Sequence, residues 1–243
     1  MSRILLLSDI HANLVALEAV LREAPTEAAL WVTGDSVGYG PDPSDVLALL
    51  EERGAVLVAG NHDLAVAGAL GVHDFNREAA DAALLHRAWL SAPERERLAA
   101  LPRVRSVDSF TLVHGSLRDP VWEYVLDLPA ASACLQRAQT THCCNGHTHL
   151  PAVYEWRAGK TALIARQPRD GETFDLTRAR TLINPGSVGQ PRDGDPRAAW
   201  AELDTDAGIA RFHRTRYDVA ETQRRMRRRR LPPFLAERLA VGY

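Results

Sequence analysis

The chain has 243 residues, 46% of them hydrophobic, and a formal net charge of −2. That is enough to bury a sizeable core, and no apolar run approaches the ~20 residues of a membrane-spanning helix. Cys134, Cys143 and Cys144 show no metal spacing, so they read as reduced thiols of a cytoplasmic protein, not as a disulfide frame.

The apolar run Ile4–Leu7 predicts a strand that begins at once, which leaves no room for a signal peptide. Asp9-Ile10-His11 follows it, and Asn13 is placed to cap a helix over Leu14–Arg22. Strand Leu30–Val32 runs into Gly34-Asp35, and the turn Gly40–Pro43 opens a helix over Ser44–Glu52. Strand Val56–Ala59 ends in Gly60-Asn61-His62-Asp63. A mainly helical segment, Leu64–Ala100, comes next. Within it an insertion at about 68–100 can form a lid, and its stretch Gly68–Leu90 carries Phe75, Asn76 and Arg77. Strand Phe110–Val113 ends in His114-Gly115, helix Ala130–Ala138 follows, and strand His142–Cys144 leads to Gly146-His147-Thr148-His149. Alternating strands and helices predict a parallel sheet.

Beyond Pro151 the pattern changes. Short strands are predicted at Val153–Trp156, Thr161–Arg166, Thr173–Leu176, Thr181–Ile183, Ala198–Leu203 and Ile209–Tyr217. Turn residues separate them, which points to a second, largely antiparallel sheet. A basic helical segment closes the chain over 218–243, with a helix at Ala220–Arg229, a break at Pro232-Pro233 and a further helical stretch at Phe234–Ala240. Arg224, Arg225 and Arg227 to Arg230 put six positive charges into seven residues. Such a run can meet nucleic acid, but no aromatic residue is interleaved, and a solvated helix end is the favoured reading. The segment Pro232–Tyr243 is free to pack on a neighbouring copy.

Five of these motifs sit at the ends of predicted strands. That is where α/β sheets bind ligands. Asp9 and His11 are two residues apart, as are His147 and His149, so each pair converges if the chain stays extended. The donors are carboxylate, carboxamide and imidazole, without thiolate. This set suits Mn²⁺, Fe²⁺, Ni²⁺ or Zn²⁺ and argues against a structural zinc site. One motif alone would be a cap, a turn or a core histidine. Five in this order are not coincidence. His73, His86, His142 and His213 lack ligand spacing and read as surface or core residues.

The motifs extend into Ser8-Asp9-Ile10-His11-Ala12-Asn13, Gly34-Asp35-Ser36-Val37-Gly38-Tyr39-Gly40-Pro41-Asp42-Pro43 and the glycine- and proline-rich stretch Asn184–Arg197. In this the chain resembles the calcineurin-like metallophosphoesterase superfamily, nearly end to end, and within it the small bacterial phosphodiesterases. The resemblance implies a single α/β domain over 1–243, a four-layer αββα sandwich of two facing mixed sheets flanked by helices. It implies two divalent ions, Mn²⁺ in first place with Fe, Ni or Zn as alternatives. Asp9, His11, Asp35 and His149 would hold one, and Asp35, Asn61, His114 and His147 the other. A water between the ions would attack phosphorus, and His62 would contact a phosphoryl oxygen and protonate the leaving alkoxide.

Protein Ser/Thr phosphatases of the superfamily carry an acidic residue and then an arginine where this chain has Gly38 and Tyr39. That argues against a protein phosphatase and leaves His62 without its usual orienting acid. Tyr39, Arg192 and Arg197 are the candidate substrate contacts, with the Gly186 and Gly189 amides able to approach an anion. The expected activity is a metal-dependent phosphodiesterase or phosphatase acting on small phosphate esters or nucleotides. A nuclease and a non-catalytic scaffold of the same fold are the alternatives.

Overall fold

The computed structural model describes residues 3–157 and 163–243. Its first half alternates as expected: β1 (Arg3–Leu7), α1 (Leu14–Glu23), β2 (Ala29–Val32), α2 (Pro43–Glu52) and β3 (Val56–Leu57). The Asn13 carboxamide accepts from the Ala16 amide at 3.2 Å and caps α1. The helical block is three helices, α3 (Asn61–Ala67), α4 (Arg77–Trp89) and α5 (Ala92–Ala99). Then come β4 (Val104–Val107), β5 (Phe110–Val113), α6 (Leu128–Arg137), β6 (His142–Cys144), β7 (Ala152–Arg157), β8 (Ile164–Arg166) and β9 (Thr173–Asp175). β10 (Ala179–Asn184), β11 (Ala198–Asp204), β12 (Ile209–Thr215), α7 (Val219–Arg228) and α8 (Pro233–Glu237) complete it. Part of the strand expected at Thr161–Arg166, Thr161 with Ala162, lies outside the described residues.

Two six-stranded mixed sheets result, ordered β3-β2-β1-β11-β12-β9 and β4-β5-β6-β10-β7-β8. The strands beyond Pro151 therefore do not make a sheet of their own. β9, β11 and β12 join the first sheet, and β7, β8 and β10 join the second. The reason is an open edge: β1 pairs with β2 on one side only, and β11 fills the other side antiparallel, Leu6 against Ala201. In the same way β10 runs parallel beside β6, Leu182 against Cys143.

Side-chain alternation builds the layers. Ile4 and Leu6 of β1 share a core with Trp31, Phe110, Leu112, Cys144, Ile183 and Phe212, so this cluster lies between the sheets. Leu5 and Leu7 point the other way, onto Leu17 and Val20 of α1 and Leu50 of α2. On the far side Cys143, Tyr154 and Leu182 pack on Ala131, Cys134 and Leu135 of α6. The order is helix, sheet, sheet, helix. The C-terminal segment packs on its own chain, with Met226, Leu231, Leu235 and Leu239 against Tyr39, Ala79 and Ala82.

Leu6 is fully buried at the centre of this stack. Leu6→Ala is expected to lower stability by about 2–5 kcal/mol, read as an earlier urea midpoint with an unchanged slope.

Candidate metal centre

The motif residues meet where β1, β2, β3, β5 and β6 end, but five of them do not leave their strands extended. Asp9, His11, Asp35, His147 and His149 all have φ between 48° and 68°, in the left-handed region. Convergence thus comes from tight kinks, not from strand alternation. Each such residue costs about 1–3 kcal/mol and persists only where its surroundings over-determine it. Here the loops after β1 and β2 are laced together: Asp9 N–H to Gly34 O at 3.1 Å, His11 N–H to Asp35 O at 2.9 Å and Ala12 N–H to Ser36 O at 2.9 Å. Gly189 N–H donates to Asp9 O at 3.0 Å, and Gly186 N–H to the Asn184 side chain at 2.9 Å. Those two amides are engaged within the chain and are not anion contacts.

Hydrogen bonds decide which atoms remain free. His11 Nδ1 donates to Val37 O at 3.0 Å, and His149 Nδ1 to Gln190 O at 2.6 Å. A carbonyl only accepts, so both rings carry their proton on Nδ1 and present a bare Nε2. Those two bare nitrogens face each other at 3.1 Å. Two lone pairs at that distance repel unless a cation lies between them. Asp9 Oδ1 is 3.3 Å from His149 Nε2 and accepts no hydrogen bond among the described residues, while Asp9 Oδ2 accepts from Ser8 Oγ at 2.6 Å and from His147 N–H at 3.0 Å.

A second group mirrors the first. His114 Nδ1 donates to Thr33 O at 2.8 Å, and His147 Nε2 to Trp122 O at 3.2 Å. His114 Nε2 then lies 3.1 Å from His147 Nδ1 and 3.1 Å from Asn61 Oδ1. Asp35 stands between the groups. Its Oδ1 accepts from His62 N–H at 2.9 Å, which leaves Oδ2 at 3.3 Å from His114 Nε2 and 3.7 Å from His11 Nε2. Oδ2 of Asp35 thus faces both groups of imidazoles. Backbone carbonyls behind ligand histidines are the usual supports of a metal site.

The electrostatics agree. Burial holds His11 and His149 well below their ordinary range and takes His147 down to about 3, so all three rings are neutral. Burial also opposes charge on His114, but Asp35 and Asp9 outweigh it and push that ring up to about 9. Burial raises Asp9 to about 7. The pocket attracts positive charge, and a divalent ion would hold these carboxylates ionised.

His62 is buried beside this cluster, and its Nδ1 has no hydrogen-bond partner among the described residues. Rings hold it: Tyr39 at 4.3 Å and Phe75, edge-on, at 4.8 Å between centroids. Burial pushes it down to about 4. His62 also lies close enough to His11 and Asp35 to share an ion with them. Asp63 bonds elsewhere: its Oδ1 accepts from Val37 N–H at 3.1 Å and its Oδ2 from Gly60 N–H at 3.0 Å, which joins the two loops that flank His62.

A cavity of about 140 Å³ opens over the cluster. Tyr39 and Arg192 line it, with the guanidinium 5.9 Å from the Tyr39 ring. Arg197 does not. It pairs with Asp195 at 2.7 Å and Asp170 at 2.7 Å, and these acids take its donors away from the site. Sequence reasoning missed Trp122 and Tyr124, which also line the cavity, Tyr124 stacked on His147 at 4.0 Å. Their only signal was two aromatic residues in an irregular stretch shortly after His114-Gly115. The basic run is partly tied down: Arg225 pairs with Glu221 and Asp42, Arg224 with Glu221, and Arg229 covers Trp89.

The sequence matches the calcineurin-like phosphoesterase superfamily domain over residues 2–207. The chain belongs to that superfamily. It is 30% identical over 248 aligned residues to the uncharacterized protein MJ0912 of Methanocaldococcus jannaschii, across 99% of this chain and 98% of that one. To phosphodiesterase YfcE of Escherichia coli it is 30% identical over 218 residues, across 85% of this chain and 89% of YfcE. A crystal structure of a metallophosphoesterase from Sphaerobacter thermophilus matches with a TM-score of 0.89 at 42% identity, covering 100% of this chain and 99% of that one. The chain is accordingly a phosphoric ester hydrolase, and its family implies divalent metals.

Asp63→Ala would orphan two buried amides, at roughly 1–3 kcal/mol each. A fall in thermal midpoint of the purified variant, with the far-ultraviolet spectrum retained, is the expected result.

Proposed function

We propose that this protein is a dinuclear-metal phosphodiesterase acting on small phosphate diesters, nucleotides among them. The observation that carries the reading is the pair of facing imidazole groups with Asp35 Oδ2 between them. Asp9, His11, Asp35 and His149 would hold one ion, and Asp35, Asn61, His114 and His147 the other. Bound there, two divalent ions polarise phosphoryl oxygens and provide a nucleophilic water near neutral pH. Manganese is the first metal to try, because the donor set is mixed oxygen and nitrogen.

The chain's own residues do the rest. Arg192 faces the cavity and meets a phosphate oxygen. His62 donates a proton to the leaving oxygen as its bond to phosphorus breaks. Burial keeps free His62 neutral at pH 7, so the ring has to take up its proton from solvent as the anionic substrate binds and its negative charge stabilises the imidazolium. Phe75, Asn76 and Ala79 line the cavity from the segment 68–100, which therefore acts as its roof within one catalytic domain. Trp122 and Tyr124 form a wall that a flat leaving group can lie against. The nuclease reading weakens, because its motive was the basic run and several of those arginines are held by acids or by Trp89.

Metal-stripped protein should cleave neither bis-p-nitrophenyl phosphate nor p-nitrophenyl phosphate, and Mn²⁺ should restore the diester activity preferentially. Faster monoester cleavage would make the enzyme a phosphatase. His62→Ala should lower kcat by ~10²–10⁴-fold with metal content unchanged. Arg192→Ala should raise KM for the diester at nearly constant kcat; unchanged kinetics would remove Arg192 from the site.

A further inference from the structure

His86 is a buried histidine of α4 that the chemistry above does not use. It is fully buried, and burial holds it neutral at about 3. Both ring nitrogens are engaged by one turn: Nδ1 accepts from Gly38 N–H at 3.0 Å, and Nε2 donates to Gly40 O at 2.7 Å. This turn carries Tyr39, a non-glycine residue at φ 58°, and brings its ring to 4.3 Å from His62. At Gly38, φ 90°, any Cβ would collide with the His62 ring. His62 is thus gripped between the bare face of Gly38 and the rings of Tyr39 and Phe75, with no hydrogen bond to its Nδ1 among the described residues. The neighbouring Arg87 donates to Ala65 O at 3.2 Å through Nε and ties α4 to α3, the helix that bears His62.

We propose that His86 is a positioning residue for His62, acting through the Gly38-Tyr39-Gly40 turn in place of an orienting carboxylate. An acid at position 38 would need a side chain where the His62 ring already lies. His86 instead fixes the turn from behind, and the turn fixes the ring by contact. Without both bonds the left-handed Tyr39 backbone loses its anchor, and the His62 ring gains freedom to leave the reactive orientation. His11 does touch this turn, its carbonyl accepting from Gly40 N–H at 3.0 Å and its Nδ1 donating to Val37 O at 3.0 Å, whereas His114, His147 and His149 are held by other carbonyls, so metal content is read beside kcat. This inference rests on the catalytic role given to His62 above.

The test is a cycle of variants assayed on bis-p-nitrophenyl phosphate with Mn²⁺. His86→Leu keeps apolar bulk and removes both bonds. His86→Gln can restore both, since its amide accepts and donates. His86→Leu should lower kcat at least about tenfold at unchanged KM and metal content, and His86→Gln should recover most of it. In a His62→Ala background, His86→Leu should cause no further loss, because two residues acting through one group are not additive. Additive losses, lost metal or an unaffected His86→Leu enzyme would each overturn the proposal. Should His86→Leu fail to fold, Tyr39→Leu takes its place in the cycle with His62→Ala, read on kcat alone because Tyr39 lines the cavity, with no further loss expected in the His62→Ala background and additive losses overturning the proposal. The role of His62 itself is read separately, from His62→Ala on diphenyl phosphate, whose poorer leaving group needs the proton more. A loss no greater there than on the p-nitrophenyl ester would reject the general acid and leave the coupling to His86 to be judged by the cycle alone.

Discussion

The rest of the structure depends on one constraint, the burial of imidazole lone pairs and carboxylate oxygens at the seam between two sheets. An unpaired buried polar atom is costly, and several facing one another are costlier. The chain meets this by committing the outward nitrogen of each cluster histidine and one oxygen of each aspartate to itself. His11, His114 and His149 each give Nδ1 to a backbone carbonyl, and His147 gives Nε2. Asp9 and Asp35 each give one oxygen to backbone N–H groups and keep the other. What is left over gathers in two places, around His11 with His149 and around His114 with His147, where positive charge would be stabilised. The carbonyls that orient the rings come from Val37, Thr33, Trp122 and Gln190, so loops from both halves of the chain must be in place before the site exists.

The strands and the donor atoms were legible in the sequence, because both are local. Phe110–Val113 and His142–Cys144 stand where their apolar runs placed them, and each donor follows a strand. The kinks were not legible. An aspartate or histidine at φ near 50° has no compositional mark; its conformation is imposed by bonds such as Asp9 N–H to Gly34 O, which span two loops. Sheet membership was hidden for a related reason. Short strands past Pro151 look alike, and their sheet is decided by which edge of β1 or β6 is unpaired. β4 was missed because three of its four residues are exposed, so Val104–Val107 offers no inward-facing pattern.

The substrate face shows how partners override type. Arg192 and Arg197 share one loop and one chemistry, yet Asp195 and Asp170 claim the second and leave the first facing the cavity. Asp195, two residues before Arg197, was the local hint. Gly186 and Gly189 were read as anion contacts, but Gly189 sits where a Cβ would strike Ile10 O. Its glycine serves close packing of the β10–β11 loop on the β1 loop. Histidines lacking ligand spacing were set aside as core residues, which is right for His86 in burial and incomplete for what it holds.

The part of the chain beyond the matched family domain also bears on the site. Met226, Leu231, Leu235 and Leu239 lie past residue 207, and they pack on Tyr39 together with Ala79 and Ala82 of α4. Gly194 N–H donates to Gly242 O at 2.8 Å, which ties the loop of Arg192 to the chain end. Arg225 reaches Asp42 at 3.1 Å and braces the start of α2. The family motifs provide the chemistry, while α4 and this C-terminal segment press on the turn and the loop that shape the cavity. Relatives that keep the ligands but differ beyond residue 207 would then share the metal chemistry and differ in the fit of substrate around Tyr39 and Arg192, because those two residues are braced from outside the motif set.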